Sequence, residues 1–229
     1  AEIAAGQRPA TLLLLEHTHT YTFGRRGQLE NLLWDEKELR RRGVATHWVD
    51  RGGDVTYHGP GQLVGYPLLP LGAAGMRVDP GQGSARLPQA DYVGYVRRLE
   101  EVLILTLAML GVASHQVEGL TGVWVDMKEA AWRKGEPAEP AKIAAIGLKV
   151  DARGVSRHGF ALNVNPDMSY WEGIVGCGLV GHRVTQMADL LSVVPAMITV
   201  QDAVVAAFGR VFDYQMLEEG LVLDGHFTA

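Results

Sequence analysis

The sequence predicts an α+β protein built on a mixed β-sheet flanked by helices. Strand-like apolar segments come in runs and do not alternate strictly with helices, which argues against a doubly wound sheet. Amphipathic helical patterns are few, the longest ending at Gly111. The chain has 229 residues, 47% apolar and 21% charged, enough to bury a sizeable core in one domain spanning residues 1–229.

The elements follow in order. Thr11–Glu16 reads as a buried strand. Leu29, Leu32, Leu33 and Leu39 have helical spacing, with Gly43 as a stop. Val44–Asp50 reads as a strand feeding a glycine-rich run, and Leu63–Leu71 as another strand, ending at Pro70. Gly72–Pro88 turns to Gly, Pro and polar residues, a surface loop. Val93, Val96, Leu99, Leu103, Leu107 and Leu110 then form one helical stripe. Gly122–Asp126 is a short strand, Lys128–Pro140 a charged loop and Ile143–Val150 a strand. Phe160, Leu162 and Val164 alternate with small or polar residues, as in a half-buried strand. Ser169–Gly181 is irregular, and Thr199 caps a last helix over Val200–Phe212.

Composition excludes several classes. A net charge of −5 argues against bulk nucleic-acid binding while tolerating a local basic patch for an acidic partner. No apolar run approaches the roughly 20 residues of a membrane helix. The start shows no basic signal-peptide region, and the single Cys177 fits a reducing cytoplasm.

The densest chemistry lies in the run Arg51-Gly-Gly-Asp-Val-Thr-Tyr-His58-Gly-Pro-Gly-Gln62. Its glycines let backbone approach a ligand, Arg51 offers a forked charged donor, and His58 is a group that titrates near neutral pH. Cys177 sits between Gly176 and Gly178, which leave its sulfur sterically open. By residue type alone a lone Cys is first a small buried hydrophobe; the functional reading is a nucleophile for acyl transfer. A thiol of ordinary pKa is only about 3% ionised at pH 7, so a nucleophile needs a nearby cation. Lys142, His58 and His158 are candidates, and composition does not select Lys142 over Lys134 or Lys149. Gly176-x-Gly178-x-x-Gly181 matches a dinucleotide fingerprint literally but lacks its βαβ context. His17-x-His19 has no third ligand nearby and reads as a structural pair rather than a metal site, and Asp126 and Asp151 read as turn formers.

Taken together, Arg51-Gly-Gly-x-x-Thr-Tyr-His-x-x-Gly-Gln-x-Val-x-Tyr66 resembles the signature of the lipoyl(octanoyl) transferases. The likeness extends to Tyr21–Gly24, Gly122–Asp126, Lys142–Gly147, His158–Asn163 and Cys177–Leu179, in order along nearly the whole chain. It implies the fold of the lipoate and biotin protein ligase catalytic domains. It implies an acyltransferase that moves an octanoyl group from octanoyl-acyl carrier protein to a lysine of lipoyl-domain proteins or the glycine cleavage H protein. Cys177 matches the nucleophile that carries the acyl group as a thioester, and Lys142 the lysine that lowers its pKa. Arg51, Gly52, Gly53, Asp54, Val55, Thr56, Tyr57 and His58, with Ala145, Ile146, Gly147, His158, Gly159 and Phe160, match segments lining the acyl site. The same likeness implies no cofactor, no metal, no membrane or nucleic-acid partner, and a cytoplasmic monomer. Gly176 stands where a proline is usual, and Gly72–Pro88 and Met127–Pro140 are longer than usual. An ATP-dependent lipoate ligase and a non-catalytic acyl or lipoyl-domain binding module are the competing readings. The ligase needs no nucleophilic cysteine, and the module does not need both Lys142 and Cys177.

Overall fold

Among the described residues, an antiparallel sheet, a smaller mixed sheet and three α-helices make up the fold. In the computed structural model the described residues are 2–72, 91–127, 140–176 and 183–219. The expected loops Gly72–Pro88 and Lys128–Pro140 fall almost wholly outside them, as does Cys177.

The larger sheet has six strands. They are β1 (Thr11–Leu15), β5 (Gln62–Leu68), β6 (His115–Val117), β7 (Leu120–Val125), β8 (Ala141–Val150) and β9 (Ser156–Asn163), in the order β1-β5-β9-β8-β7-β6. All neighbours are antiparallel. The smaller sheet has β2 (Thr20–Phe23) at its centre, parallel to β3 (Ala45–Trp48) and antiparallel to β4 (Val55–His58). The mixed topology therefore resides in the small sheet. The sequence reading includes neither β2 nor β6, which at four and three residues are too short to show a repeated pattern.

Helices α2 (Tyr92–Met109) and α3 (Met197–Phe212) cover one face of the large sheet. Leu103 and Leu107 pack with Val123, Val125, Ile143 and Leu162 and with Val200 and Val204 of α3. Leu99 and Val102 meet Phe208 and Phe212 in an adjoining cluster. Asp91 caps α2 by accepting from the Gly94 N–H, and Gly111 follows it in the left-handed region at φ +82°. α3 begins a turn earlier than its expected cap. Thr199 is inside the helix, and Ala196, extended after Pro195, takes the capping position without a side-chain bond.

Helix α1 (Glu36–Arg42) is shorter than the leucine spacing suggests. Asp35 accepts from the Glu38 N–H and fixes the start there, while Gly43 at φ +66° ends it as expected. Leu29 to Asn31 form a 3₁₀ turn instead, and Leu29 and Leu33 are exposed. Strand β9 also departs from expectation. Phe160 to Asn163 are buried on both faces, because helices cover one side and the small sheet the other.

Candidate active site

Strand alternation in the small sheet separates a core face from a cavity face. On β2 and β4 the cross-strand pairs Tyr21–Tyr57 and Phe23–Val55 are fully buried and pack with Leu39, Val44 and Ile174. The intervening pairs Thr20–His58 and Thr22–Thr56 project the other way. They face the large sheet across a cavity of about 580 Å³. That volume is in the range of small-molecule sites.

The floor is made of small side chains. Ala161 of β9 lies between its cross-strand partners Val64 of β5 and Ala145 of β8, and Gly159 pairs with Gly147 one step along. Phe160 folds over Gly65, where a Cβ would lie 2.2 Å from the ring. Gly147 admits the loop that carries Arg51: a Cβ there would sit 3.0 Å from Arg51 Cδ and 3.1 Å from the Gly52 carbonyl oxygen. The Gly52 N–H donates to the Leu148 carbonyl at 2.8 Å and fastens this loop to β8.

Arg51 is buried, and its guanidinium crosses the cavity wall toward β2. Nη2 donates to the Thr22 carbonyl at 2.5 Å and to Thr22 Oγ1 at 3.0 Å, Nε donates to the same hydroxyl at 3.2 Å, and Nη1 to the Gly52 carbonyl at 2.9 Å. With both acceptor positions of Thr22 Oγ1 taken, its own proton points to His58 Nε2 at 3.3 Å.

A buried amide ladder fixes the other side of His58. Gln62 Nε2 donates to the Tyr57 carbonyl at 3.1 Å and to Asn163 Oδ1 at 2.9 Å, so Gln62 Oε1 accepts from His58 Nδ1 at 2.9 Å. Burial, reinforced by His17, Arg51 and His158 and only partly opposed by Gln62, pushes the His58 pKa down to about 4. His58 is therefore a neutral imidazole protonated on Nδ1 at pH 7, not the near-neutral titrating group its residue type suggests. The ladder continues: Asn163 Nδ2 donates to the Thr185 carbonyl at 2.9 Å, and the Thr185 N–H donates to the Lys142 carbonyl at 2.9 Å.

Lys142 lies beyond this ladder, at the start of β8 and off the cavity lining. It is 7% exposed. Its N–H donates to the Arg183 carbonyl at 2.8 Å, and its ammonium lies 4.7 Å from the centre of the Trp124 ring. Gly176 packs on Trp171, with a virtual Cβ 2.9 Å from that ring.

His158 occupies the cavity rim with φ at +58°, a left-handed conformation uncommon for a non-glycine residue. Its Nε2 is 2.6 Å from Asp50 Oδ1, and Asp50 also accepts from Lys149 Nζ at 2.5 Å and Arg157 Nη1 at 3.4 Å. Hydrogen bonds from His158 and Lys149, in that order, hold the exposed Asp50 carboxyl below the usual carboxylate range.

Of the expected lining, Arg51, Gly52, Gly53, Thr56, His58, Ala145, Ile146, Gly147, His158, Gly159 and Phe160 border the cavity. Asp54, Val55 and Tyr57 do not. Asp54 accepts from the Gln28 and Val55 N–H groups and the Asn31 amide, Val55 is in the core, and Tyr57 bonds His19 and stacks on Tyr170. Val64 and Ile146 line the cavity as their apolar character suggests, while sequence reasoning missed His17, Thr18, Thr20, Thr22, His47, Val49, Tyr66 and Ala161. Period-2 alternation in Leu-Val-Gly-Tyr could have flagged Tyr66 beside Val64, whereas β2 is too short to mark its threonines by pattern. His17 and His19 turn to different tyrosines, His17 to Tyr66 at 2.7 Å and His19 to Tyr57 at 2.9 Å. Among the described residues no group of three metal-ligating side chains gathers, and no helix is long and apolar enough to cross a membrane.

Comparison with known proteins matches this architecture. Residues 1–209 match the lipoyl protein ligase A/B catalytic domain. The octanoyltransferase of Chloroflexus aurantiacus is 43% identical over 223 residues, 97% of this chain and 89% of that protein. The octanoyltransferase of Solibacter usitatus is 43% identical over 220 residues, 94% of this chain and 86% of its own. A bipartite lipoate protein ligase from Thermoplasma acidophilum superimposes with a TM-score of 0.67 at 17% identity, covering 93% of this chain and 74% of that one. A lipoate-protein ligase A bound with ATP gives 0.65 at 15% identity, covering 93% and 76%. These two show the fold. With that fold, and with 43% identity over nearly the whole of its length, the chain belongs to the lipoyl protein ligase A/B catalytic domain family, among relatives named octanoyltransferase.

Proposed function

We propose that the protein is an octanoyltransferase acting through a Cys177 thioester, as one domain and without ATP. The observation that carries the reading is the cavity floored by Val64, Ala145 and Ala161 and walled by Arg51, neutral His58 and His158. An apolar slot with a polar wall suits an acyl chain that ends in a reactive carbonyl. At about 0.8 kcal/mol per buried CH₂, such a floor supplies several kcal/mol and discriminates chain length.

The chemistry balances without an external energy source. The Cys177 thiolate attacks the octanoyl thioester carbonyl, a new C–S bond forms, and the carrier thiolate leaves and takes a proton. The neutral amine of an acceptor lysine then attacks the enzyme thioester. A C–N bond forms, the C–S bond breaks, and the amine proton passes to a base while the Cys177 thiolate is regenerated. Lys142 serves as the cation that favours thiolate and as the group that exchanges the proton. Two features support its pairing with Cys177. It is buried, and its backbone is bonded to Arg183 and Thr185, which follow Cys177 closely in sequence. His58, uncharged at working pH, shapes the cavity as a hydrogen-bonding group and is not the proton carrier. Octanoyl-acyl carrier protein is the proposed donor, lipoyl-domain proteins and the H protein are the proposed acceptors, and the enzyme acts as a cytoplasmic monomer.

The test is transfer to a purified lipoyl domain. Octanoylated lipoyl domain formed from octanoyl-acyl carrier protein in the absence of nucleotide is the expected result. Product only from free octanoate plus ATP establishes a ligase instead.

A further inference from the structure

Trp124 stands opposite Lys142 across β7 and β8 as its direct pairing partner, so both side chains leave the same face of the sheet. The pairing is irregular there. The register slips between Val123 and Trp124, a bulge of the kind that re-aims a side chain. The bulge is anchored from the opposite side of the strand. Glu100 of α2 is fully buried, its Oε1 accepts from the Gly122 N–H at 2.9 Å, and its Oε2 pairs with Arg97 Nη1 at 2.7 Å. Gly122 itself has φ +116°, and a Cβ there would lie 2.5 Å from the Ala144 carbonyl oxygen and 3.4 Å from Lys142 Cε. That backbone conformation and the close Ala144 carbonyl call for glycine, and the lysine stem runs alongside in van der Waals contact. The result is a fully buried indole with the Lys142 ammonium 4.7 Å from its centre.

We propose that Trp124, set in place by Glu100 through Gly122, is the positioning residue that holds the Lys142 ammonium in its charged form. Burial disfavours a charged lysine, and the electron-rich face of an indole offsets that cost. Two charged groups on neighbouring described elements have carboxylate partners of their own. His115, the partner of Trp124 on β6, faces Asp126 at 3.7 Å, and Arg97 is engaged by Glu100. Arg183 reaches Lys142 through its backbone carbonyl. The inference rests on Lys142 being the cation that lowers the Cys177 pKa.

The experiment is the pH profile of Cys177 alkylation by iodoacetamide in the full chain, with urea unfolding run on each variant. Lys142→Ala moves the midpoint upward. Trp124→Leu moves it upward by about half a unit to one unit, as expected for loss of one desolvated cation–aromatic contact. Trp124→Phe, which keeps a weaker aromatic face, gives a smaller shift in the same direction and decides the matter if the leucine variant does not fold. Glu100→Gln, whose amide oxygen still accepts from Gly122, keeps the wild-type profile. A midpoint shifted by Lys142→Ala but unmoved by both folded tryptophan variants overturns the proposal. A profile unmoved by Lys142→Ala instead removes the assignment of Lys142 on which it rests.

Discussion

Acidification tests the neutral state of His58. An unfolded histidine takes up its proton near pH 6.5, whereas the folded chain resists until about pH 4. Between those values the unfolded state binds more protons, so stability is lost as pH falls through the window and is constant above it. A gap of about 2.5 pH units at 1.36 kcal/mol per unit amounts to about 3 kcal/mol. His17, whose pKa burial also lowers, adds to the loss with the same sign. Asp50 and Glu38, whose hydrogen bonds hold them low in the folded chain, add a loss of the same sign near pH 4, where their unfolded forms take up protons; that loss is common to both proteins and cancels in the comparison. The perturbation is His58→Gln, which keeps a polar side chain facing Gln62 and Thr22 but carries no proton. The assay is urea unfolding at intervals from pH 4 to pH 8. The wild-type slope exceeds that of His58→Gln by up to about 1.4 kcal/mol per pH unit at its steepest. Equal slopes in the two proteins would refute the assignment of a buried neutral imidazole.

Other outcomes follow from the cavity walls. Arg51→Lys loses the planar fork that reaches Thr22 three times and Gly52 once; about 2 kcal/mol of stability goes with those charge-assisted bonds, measured by urea unfolding. An unchanged midpoint would show that a point charge suffices. Ala161→Leu fills the floor between Val64 and Ala145 and displaces roughly two methylenes of the acyl chain. At about 0.8 kcal/mol each, octanoyl transfer falls about 15-fold in kcat/KM while hexanoyl transfer is spared. A parallel loss for both donors places the chain elsewhere.

The sequence made the contents of the site more legible than its sidedness. The run from Arg51 to His58 announced a ligand wall through its glycines and charge, yet a contiguous motif cannot say which residues face inward. Pairing with β2 decides that, sending Thr56 and His58 to the cavity and Val55 and Tyr57 to the core. Strand β2 itself is four residues long, too short to announce Thr20 and Thr22 by pattern. The neutral state of His58 was equally invisible. It depends on burial, reinforced by His17, Arg51 and His158, which chain folding brings together from distant segments. Helix α2 was read well because Leu99, Leu103 and Leu107 keep one face over several turns. The leucines before α1 misled because Asp35 starts that helix late and Leu29 and Leu33 stay in water.

The central claim is that Cys177 carries the acyl group. Incubating the protein with octanoyl-acyl carrier protein, without acceptor, and recording its intact mass tests this most directly. The account predicts one octanoyl adduct, located on Cys177, removed by neutral hydroxylamine and absent from Cys177→Ala. No adduct on the wild type, or an equal adduct on Cys177→Ala, would contradict it.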